Sequence, residues 1–221
     1  MYRKIKGKVH GVLADYDLAS WRSTLTLDRT KTSHQRTGTP PFMAQGLLDG
    51  SDPIHLYRHD LESLFYTMLI LATHYEIQAP GEGDGGIRVL EGDLRFQAWF
   101  ETLDFNTLGG VKSDFFTKLA IFEPSPSLAG FRGWLWGLQD MFHQGFTAKN
   151  AHRRLQRRKE QFGAKVTLPH FDEETSGGHI TYSALIQTVR NLPGNFQGLA
   201  IRYDPPKVPP STATSALRTL T

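Results

Sequence analysis

The sequence predicts a mainly α protein entered by a short β-hairpin, and three of its features carry that expectation. The chain opens on a hairpin pattern, MYRKI, then Lys6-Gly7, then KVHGVLA. Behind Asp60, the stretch LESLFYTMLILATHY is apolar on nearly every face of a helix, as a central core helix is. In the second half helical periods succeed one another, the strongest being Phe131, Trp134, Leu135, Leu138, Met141 and Phe142.

Each element follows in order. The hairpin, residues 1–14, delivers Asp15 to the end of its second strand. Ser20 to Thr39 is polar with no sustained period and reads as a long loop, a type that is usually functional or disordered in a compact domain. After the turn at Pro40-Pro41, a helix is expected from Asp60, whose carboxylate suits an N-cap. Leu61, Leu64, Phe65, Met68, Leu69 and Ala72 give its repeat, while Ile70 and Leu71 fill the other face. Leu94, Ala98, Trp99 and Leu103 predict one further helix, and Phe115, Phe116, Leu119 and Ala120 another, stopped by Pro124 and Pro126. A basic run, AHRRLQRRKEQFGAK, and a short helix around TYSALIQTVR close a helical core spanning 60–190. The domain is expected to span 1–203, and the Pro, Ser and Thr content of 204–221 reads as a disordered tail.

Composition narrows the classes of function. A chain of 221 residues, 39% hydrophobic, can bury a core of its own. The longest apolar run, Leu64 to Thr73, is about half of the roughly 20 residues a bilayer crossing needs, so no membrane partner is expected. The basic start is followed by Asp15 and Asp17 where a signal peptide needs an unbroken apolar stretch. With no cysteine there is no disulfide, thiolate nucleophile or cysteine zinc site, which fits an intracellular place, cytoplasm or nucleus. A net charge of +3 is mild, and no nucleic acid partner is expected.

Several motifs have plain readings. GEGDGG, Gly81 to Gly86, satisfies the phosphate-cradling pattern in form, but it follows a helical segment and Pro80, and suits a flexible surface loop. His55 and His59 stand at metal-ligand spacing, yet the glutamate of the zincin pattern is replaced by Leu56, so surface or capping roles are expected. The basic run from Arg153 to Lys159 reads as a solvated helix face. Asp15-Tyr16-Asp17 puts hard oxygen ligands at a strand end, where Mg²⁺ and a nucleotide's phosphates can sit. On that stretch alone, the start of a turn is the stronger reading.

Order and spacing change the balance. Asp15-Tyr16-Asp17-Leu18-Ala19 resembles D-F-G-L-A of protein kinases, Gly38 to Ala44 resembles their G-T-x-x-Y-M-A, and Asp60-Leu61-Glu62-Ser63-Leu64 resembles the start of their helix F. The chain is most similar to the fungal-type protein kinase family, which carries D-[WY]-D, T-G-T-x-P-F-M-A, the string HLYRHDLES (His55 to Ser63) and a late F-D-x-E-T-x-G-G-H-x-T-Y (Phe171 to Tyr182). The resemblance covers about residues 1–190. It implies a protein kinase-like C-lobe with a hairpin, an activation segment at 15–46 and a central buried helix.

Roles follow from the resemblance alone. Asp15 would hold the Mg²⁺ that bridges the phosphates of ATP, Tyr16 would pack beneath it, and Asp17 would be a second metal contact or a replaced glycine. Gly38 and Thr39 would position a substrate hydroxyl, and Asp60 would brace the catalytic loop. No catalytic residue is expected in the chain itself: the base Asp and the phosphate-binding Lys would lie upstream of Met1. The A-P-E glutamate is replaced, since the chain reads Ala44-Gln45-Gly46, which predicts a weaker anchor for the segment. The resemblance thus implies part of a Ser/Thr kinase that alone is inactive and binds MgATP weakly or not at all, with a protein substrate. The alternative is a non-catalytic, pseudokinase-like module that binds a protein partner, with Gly46 as a sign of relaxed constraint.

Overall fold

The computed structural model describes residues 2–5, 8–11, 38–52, 54–78, 86–92, 94–163 and 166–191. The chain divides into two units, residues 1–36 and 37–221.

The first unit contains the expected hairpin. Strands β1 (Tyr2–Ile5) and β2 (Lys8–Gly11) pair antiparallel, with Tyr2 opposite Gly11 and Ile5 opposite Lys8. The Lys6-Gly7 turn lies outside the described residues.

The second unit is mainly helical. A 3-10 turn, Pro40–Phe42, leads into the short helix α1 (Gln45–Leu48) and then α2 (Tyr57–His74). Proline at the head of the 3-10 turn suits a position whose N–H has no partner to find. Helix α2 begins earlier than Asp60 predicts, because another residue caps it: the Leu56 N–H donates to His59 Nδ1 at 2.9 Å. Asp60 therefore lies within the first turn rather than at the cap.

Helix α2 ends at His74, and the chain turns directly into β3 (Tyr75–Gln78), which pairs antiparallel with β4 (Gly86–Val89). This second hairpin corrects the expectation that Tyr75 ends a helix. It also changes the reason for setting GEGDGG aside: the pattern follows a strand after all, but it leads into another strand at Gly86, whereas a phosphate cradle needs a helix there.

Leu94 to Leu103 yields only one helical turn, α3 (Ala98–Glu101). Helix α4 runs over Phe105–Thr117, opened by Asp104, whose carboxylate accepts from the Thr107 N–H at 2.7 Å. It stops before Leu119, which takes φ +46, a left-handed conformation that a leucine adopts only under constraint. A 3-10 turn over Pro126–Phe131 starts α5 (Arg132–Phe162), where the strongest apolar period and the basic run are one helix of 31 residues. Helix α6 (Tyr182–Arg190) is capped by the Thr181 hydroxyl, which accepts from the Ala184 N–H.

One apolar core joins these helices. Phe65, Tyr66 and Leu69 of α2, Phe115 and Phe116 of α4, and Leu138 and Phe142 of α5 are all buried within it. The rings interlock: Phe65 lies 5.4 Å from Phe142 and 5.7 Å from Phe116, centroid to centroid. None of the described helices is long and apolar enough to cross a membrane.

Candidate functional site

The first turns of α2 place three polar side chains inward: Arg58, His59 and Glu62, all essentially without solvent exposure. They hold the chain that precedes the helix. Asp52, from the loop after α1, is the focus: its Oδ2 accepts from Arg58 Nη2 at 2.8 Å and from His59 Nε2 at 3.0 Å. Its Oδ1 accepts from Lys149 of α5, and Arg153 Nη2 stands 3.7 Å away. Because His59 Nδ1 accepts from the Leu56 amide, the ring proton sits on Nε2, where it donates to Asp52.

These contacts fix the charges. Burial alone would raise the Asp52 pKa, but the His59 N–H and the Arg58 and Lys149 cations outweigh it and hold the carboxyl far below its ordinary range. Burial pushes His59 down to about 4 against the pull of Asp52, so it is neutral at neutral pH. Lys149 is also lowered, by burial first and by repulsion from Arg58 second.

Gly46 belongs to the same cluster. A Cβ built there would meet Asp52 Oδ2 at 1.9 Å, and the Asp52 amide donates to the Gly46 carbonyl at 2.9 Å. The place a side chain at 46 would take is filled by the Asp52 carboxylate. This corrects two expectations: Gly46 is sterically required rather than relaxed, and the segment lacking the A-P-E glutamate is anchored by a carboxylate six positions on.

A second buried cluster holds the 3-10 turn. Lys112 of α4 is buried and spends all three ammonium protons on main-chain carbonyls, those of Pro40 at 3.2 Å, Pro41 at 2.8 Å and Met43 at 2.6 Å. Its Nζ lies 4.0 Å from the Tyr66 ring centroid and 5.1 Å from that of Trp99, within cation–π reach. Glu62 Oε1 accepts from the Gln45 amide at 2.7 Å and from the Tyr66 hydroxyl at 2.6 Å. Burial disfavours both charges: it raises Glu62 and pushes Lys112 down to about 7, against the attraction between the two.

Gly38 and Thr39 are exposed at the head of this clamped turn. Gly38 has φ +133, a conformation that favours glycine, and a Cβ there would come within 3.0 Å of Met43 Cγ. The Thr39 carbonyl accepts from the Phe42 amide at 2.9 Å, and its hydroxyl makes no hydrogen bond among the described residues. Asp60 is 70% exposed and accepts from His55 Nε2 at 2.8 Å. His55 is thus a surface residue and His59 a capping one. Asp15, Tyr16 and Asp17 lie outside the described residues. Among the described residues, no group of three His, Cys, Asp or Glu side chains could hold a metal ion.

The two unusual strings meet in space. The Tyr57 hydroxyl donates to the Ile180 carbonyl at 3.1 Å, and Arg58 Nε donates to the Glu173 carbonyl at 2.9 Å. The late string is itself a tight set of turns. Asp172 accepts from the Glu174 amide and the Thr175 hydroxyl, and its ring neighbour Phe171 stacks on His152 at 4.6 Å. The sequence assigns no role to Asp52, Lys112 or Lys149, and Arg58 and Glu62 enter it only within the strings that carry the resemblance. A signal existed for Lys112 and Lys149: each stands at a core position of a helical period, Lys112 with Leu108 and Phe115, Lys149 with Phe142 and His152.

Residues 2–72 match the fungal protein kinase family, from the N-terminal hairpin to within α2. The late string at Phe171 to Tyr182 lies beyond the matched range. No curated protein and no solved structure matches the chain.

Proposed function

We propose, from the match of residues 2–72 to the fungal protein kinase family, that the chain is the C-lobe portion of a Ser/Thr protein kinase. In this reading Asp15 and Tyr16 face the nucleotide, and Asp15, with Asp17, holds the Mg²⁺ of ATP. The metal would supply neutralising charge to the phosphates. Thr39 and Gly38 hold the peptide at its target hydroxyl, and Asp60 braces the catalytic loop.

One observation supports the peptide-holding half. Gly38 and Thr39 stand exposed on a turn whose carbonyls are gripped by buried Lys112 and whose following amide is gripped by Glu62. A rigid, outward-facing turn is what positioning a substrate demands, because phosphoryl transfer depends on orientation more than on covalent help. The 221 residues contain no H-x-D-x-x-x-x-N string to supply the base and the second metal ligand. The chain alone is therefore expected to transfer no phosphate and to bind MgATP weakly or not at all.

The test begins at the gene. The transcript's 5′ end is mapped and the frame upstream of the Met1 codon is translated. An H-x-D-x-x-x-x-N loop and a lysine-bearing lobe there support the enzyme. The extended protein should then phosphorylate a serine peptide, and Asp15→Asn should lower the rate by orders of magnitude. A leader without these motifs overturns the enzyme and leaves the alternative, a non-catalytic module that binds a protein partner. Micromolar binding of MgATP by the 221-residue chain in a calorimetric titration would overturn the expected inactivity.

A further inference from the structure

Helix α5 outruns the core it serves. Its buried residues end with Lys149 and His152, and no residue from Arg153 to Phe162 is buried. At 1.5 Å per residue, the turns beyond His152 extend the helix by about 15 Å. They carry Arg153, Arg154, Arg157, Arg158 and Lys159, against one acid, Glu160. Arg153 touches the buried cluster, donating to the Ser51 carbonyl at 3.2 Å. The side chains of Arg154, Arg157, Arg158 and Lys159 form no ion pair or hydrogen bond among the described residues.

Like charges one turn apart, as in Arg153 with Arg157 and Arg154 with Arg158, oppose the helix they stand on. Glutamates three or four residues away relieve this in many helices, but here Glu160, three residues beyond Arg157, is the only acid from Arg153 to Phe162, and it forms no ion pair among the described residues. An anionic partner relieves it equally well. We propose that the exposed end of α5 is a docking arm for an acidic, extended segment of a protein partner.

Spacing and charge suit an extended acidic polypeptide. Four helical residues rise about 6 Å, close to the roughly 6.7 Å between alternate side chains of an extended strand. Carboxylates at every second position would therefore meet Arg154 and Arg158 together. The ground beside the arm is acidic: Phe171, stacked on His152, leads into Asp172, Glu173 and Glu174. Those carboxylates border the basic rows, so a broad anionic duplex meets like charge beside them while a segment one strand wide fits along the rows alone. Phe162, 59% exposed, is the one aromatic side chain from Arg153 to the helix end, whereas single-stranded nucleic acid binding stacks successive bases on several rings. The arm would dock such a segment whether or not the chain transfers phosphate.

The test is fluorescence anisotropy with the full chain and labelled peptides in which serine alternates with glutamate or with glutamine, and with a single-stranded RNA of equal charge. At low salt the glutamate peptide should bind about tenfold or more tighter than the glutamine one, and the advantage should shrink as salt is added. Combining R154E, R157E and R158E, all at exposed positions, should abolish that advantage with the circular dichroism unchanged. The lysine versions at the same positions should keep it, and they still read the proposal should the reversed variant misfold. Equal binding of the two peptides, glutamate-peptide binding untouched by charge reversal in the folded variant, or tighter binding of the RNA would overturn the proposal.

Discussion

Gly46 and His59 show how much depends on atoms that no motif names. Alanine at 46 would put a methyl carbon where the Asp52 carboxylate lies, so Asp52 must leave Arg58 and Lys149 as buried, unpaired cations. Breaking a buried ion pair from one side costs about 3–5 kcal/mol, and G46A is expected to fall in that range by urea unfolding. An unchanged midpoint would mean that Asp52 moves aside freely. His59 makes a pH prediction. Its folded value of about 4 lies below the ordinary 6.5, so between those limits the unfolded chain carries a proton that the folded chain lacks. Its contribution is complete above pH 6.5 and falls, by something on the order of 3 kcal/mol, as the pH drops to 4. Glu62, raised by burial, acts in the opposite sense nearby. The measurement is therefore the stability difference between wild type and His59→Gln across that window. A difference that does not change with pH would mean that His59 is already charged in the fold.

The 3-10 turn at Pro40–Phe42 and helix α4 are joined by one lysine, and the two should loosen together when it is removed. Lys112→Met leaves the buried carbonyls of Pro41 and Met43 without their lysine donor, the Pro40 carbonyl with only the Met43 amide, and Glu62 without the cation that most favours its charge. A loss of about 3 kcal/mol is expected, with the turn opening to proteolysis before the helices unfold. Alkali separates local from global effects. Above pH 7 the folded chain releases the Lys112 proton while the unfolded chain keeps its own up to about 10.5, so this group adds stability as the pH rises. The neutral amine has only two protons for three carbonyls. After correction for the intrinsic rate, exchange of the Phe42 and Met43 amides should quicken between pH 7 and 9 with no loss of global stability. Corrected exchange rates that stay constant over this range would show that Lys112 stays charged.

These same elements mark how far the sequence could be read. The hairpin at the start was visible in the Lys6-Gly7 turn between two short strand-like runs, and α2 and α5 in the helical spacing of their buried side chains. The β3–β4 hairpin was hidden, since Tyr75–Gln78 leaves α2 with no intervening turn, and neither the half-buried β3 nor the exposed β4 alternates between buried and exposed residues. The ion clusters were hidden for a different reason: Asp52 and Lys149 are 97 positions apart, and nothing local tells a buried charge from a solvated one. The clamped turn at Gly38 and Thr39 was found through its resemblance to a family, but Lys112, which holds it, belongs to no string that was recognised.

Across the second unit, the central helix carries an anomaly that bears on the proposed function. Helix α2 is buried on most of its circumference, yet Asp60, Leu64, Thr67 and Leu71 form one stripe facing out, with Leu64 45% and Leu71 47% exposed. Burying either leucine fully would bring about 2 kcal/mol at most, so the stripe is a modest incentive to associate and no hazard to the fold. In the enzyme reading, the stripe is the face that further kinase structure would cover, and Asp60 at its head is the residue assigned to bracing the catalytic loop. The prediction is a separation of two properties. Leu64→Glu combined with Leu71→Lys should leave the unfolding free energy from urea within about 0.5 kcal/mol of wild type, because neither side chain is part of the core. The same pair should reduce self-association of the 221-residue chain in sedimentation. A large loss of stability would place the leucines in the core after all. A chain that sediments as a monomer with and without the changes would show that the stripe needs no cover, and the enzyme reading would lose that support to the alternative of a self-sufficient binding module.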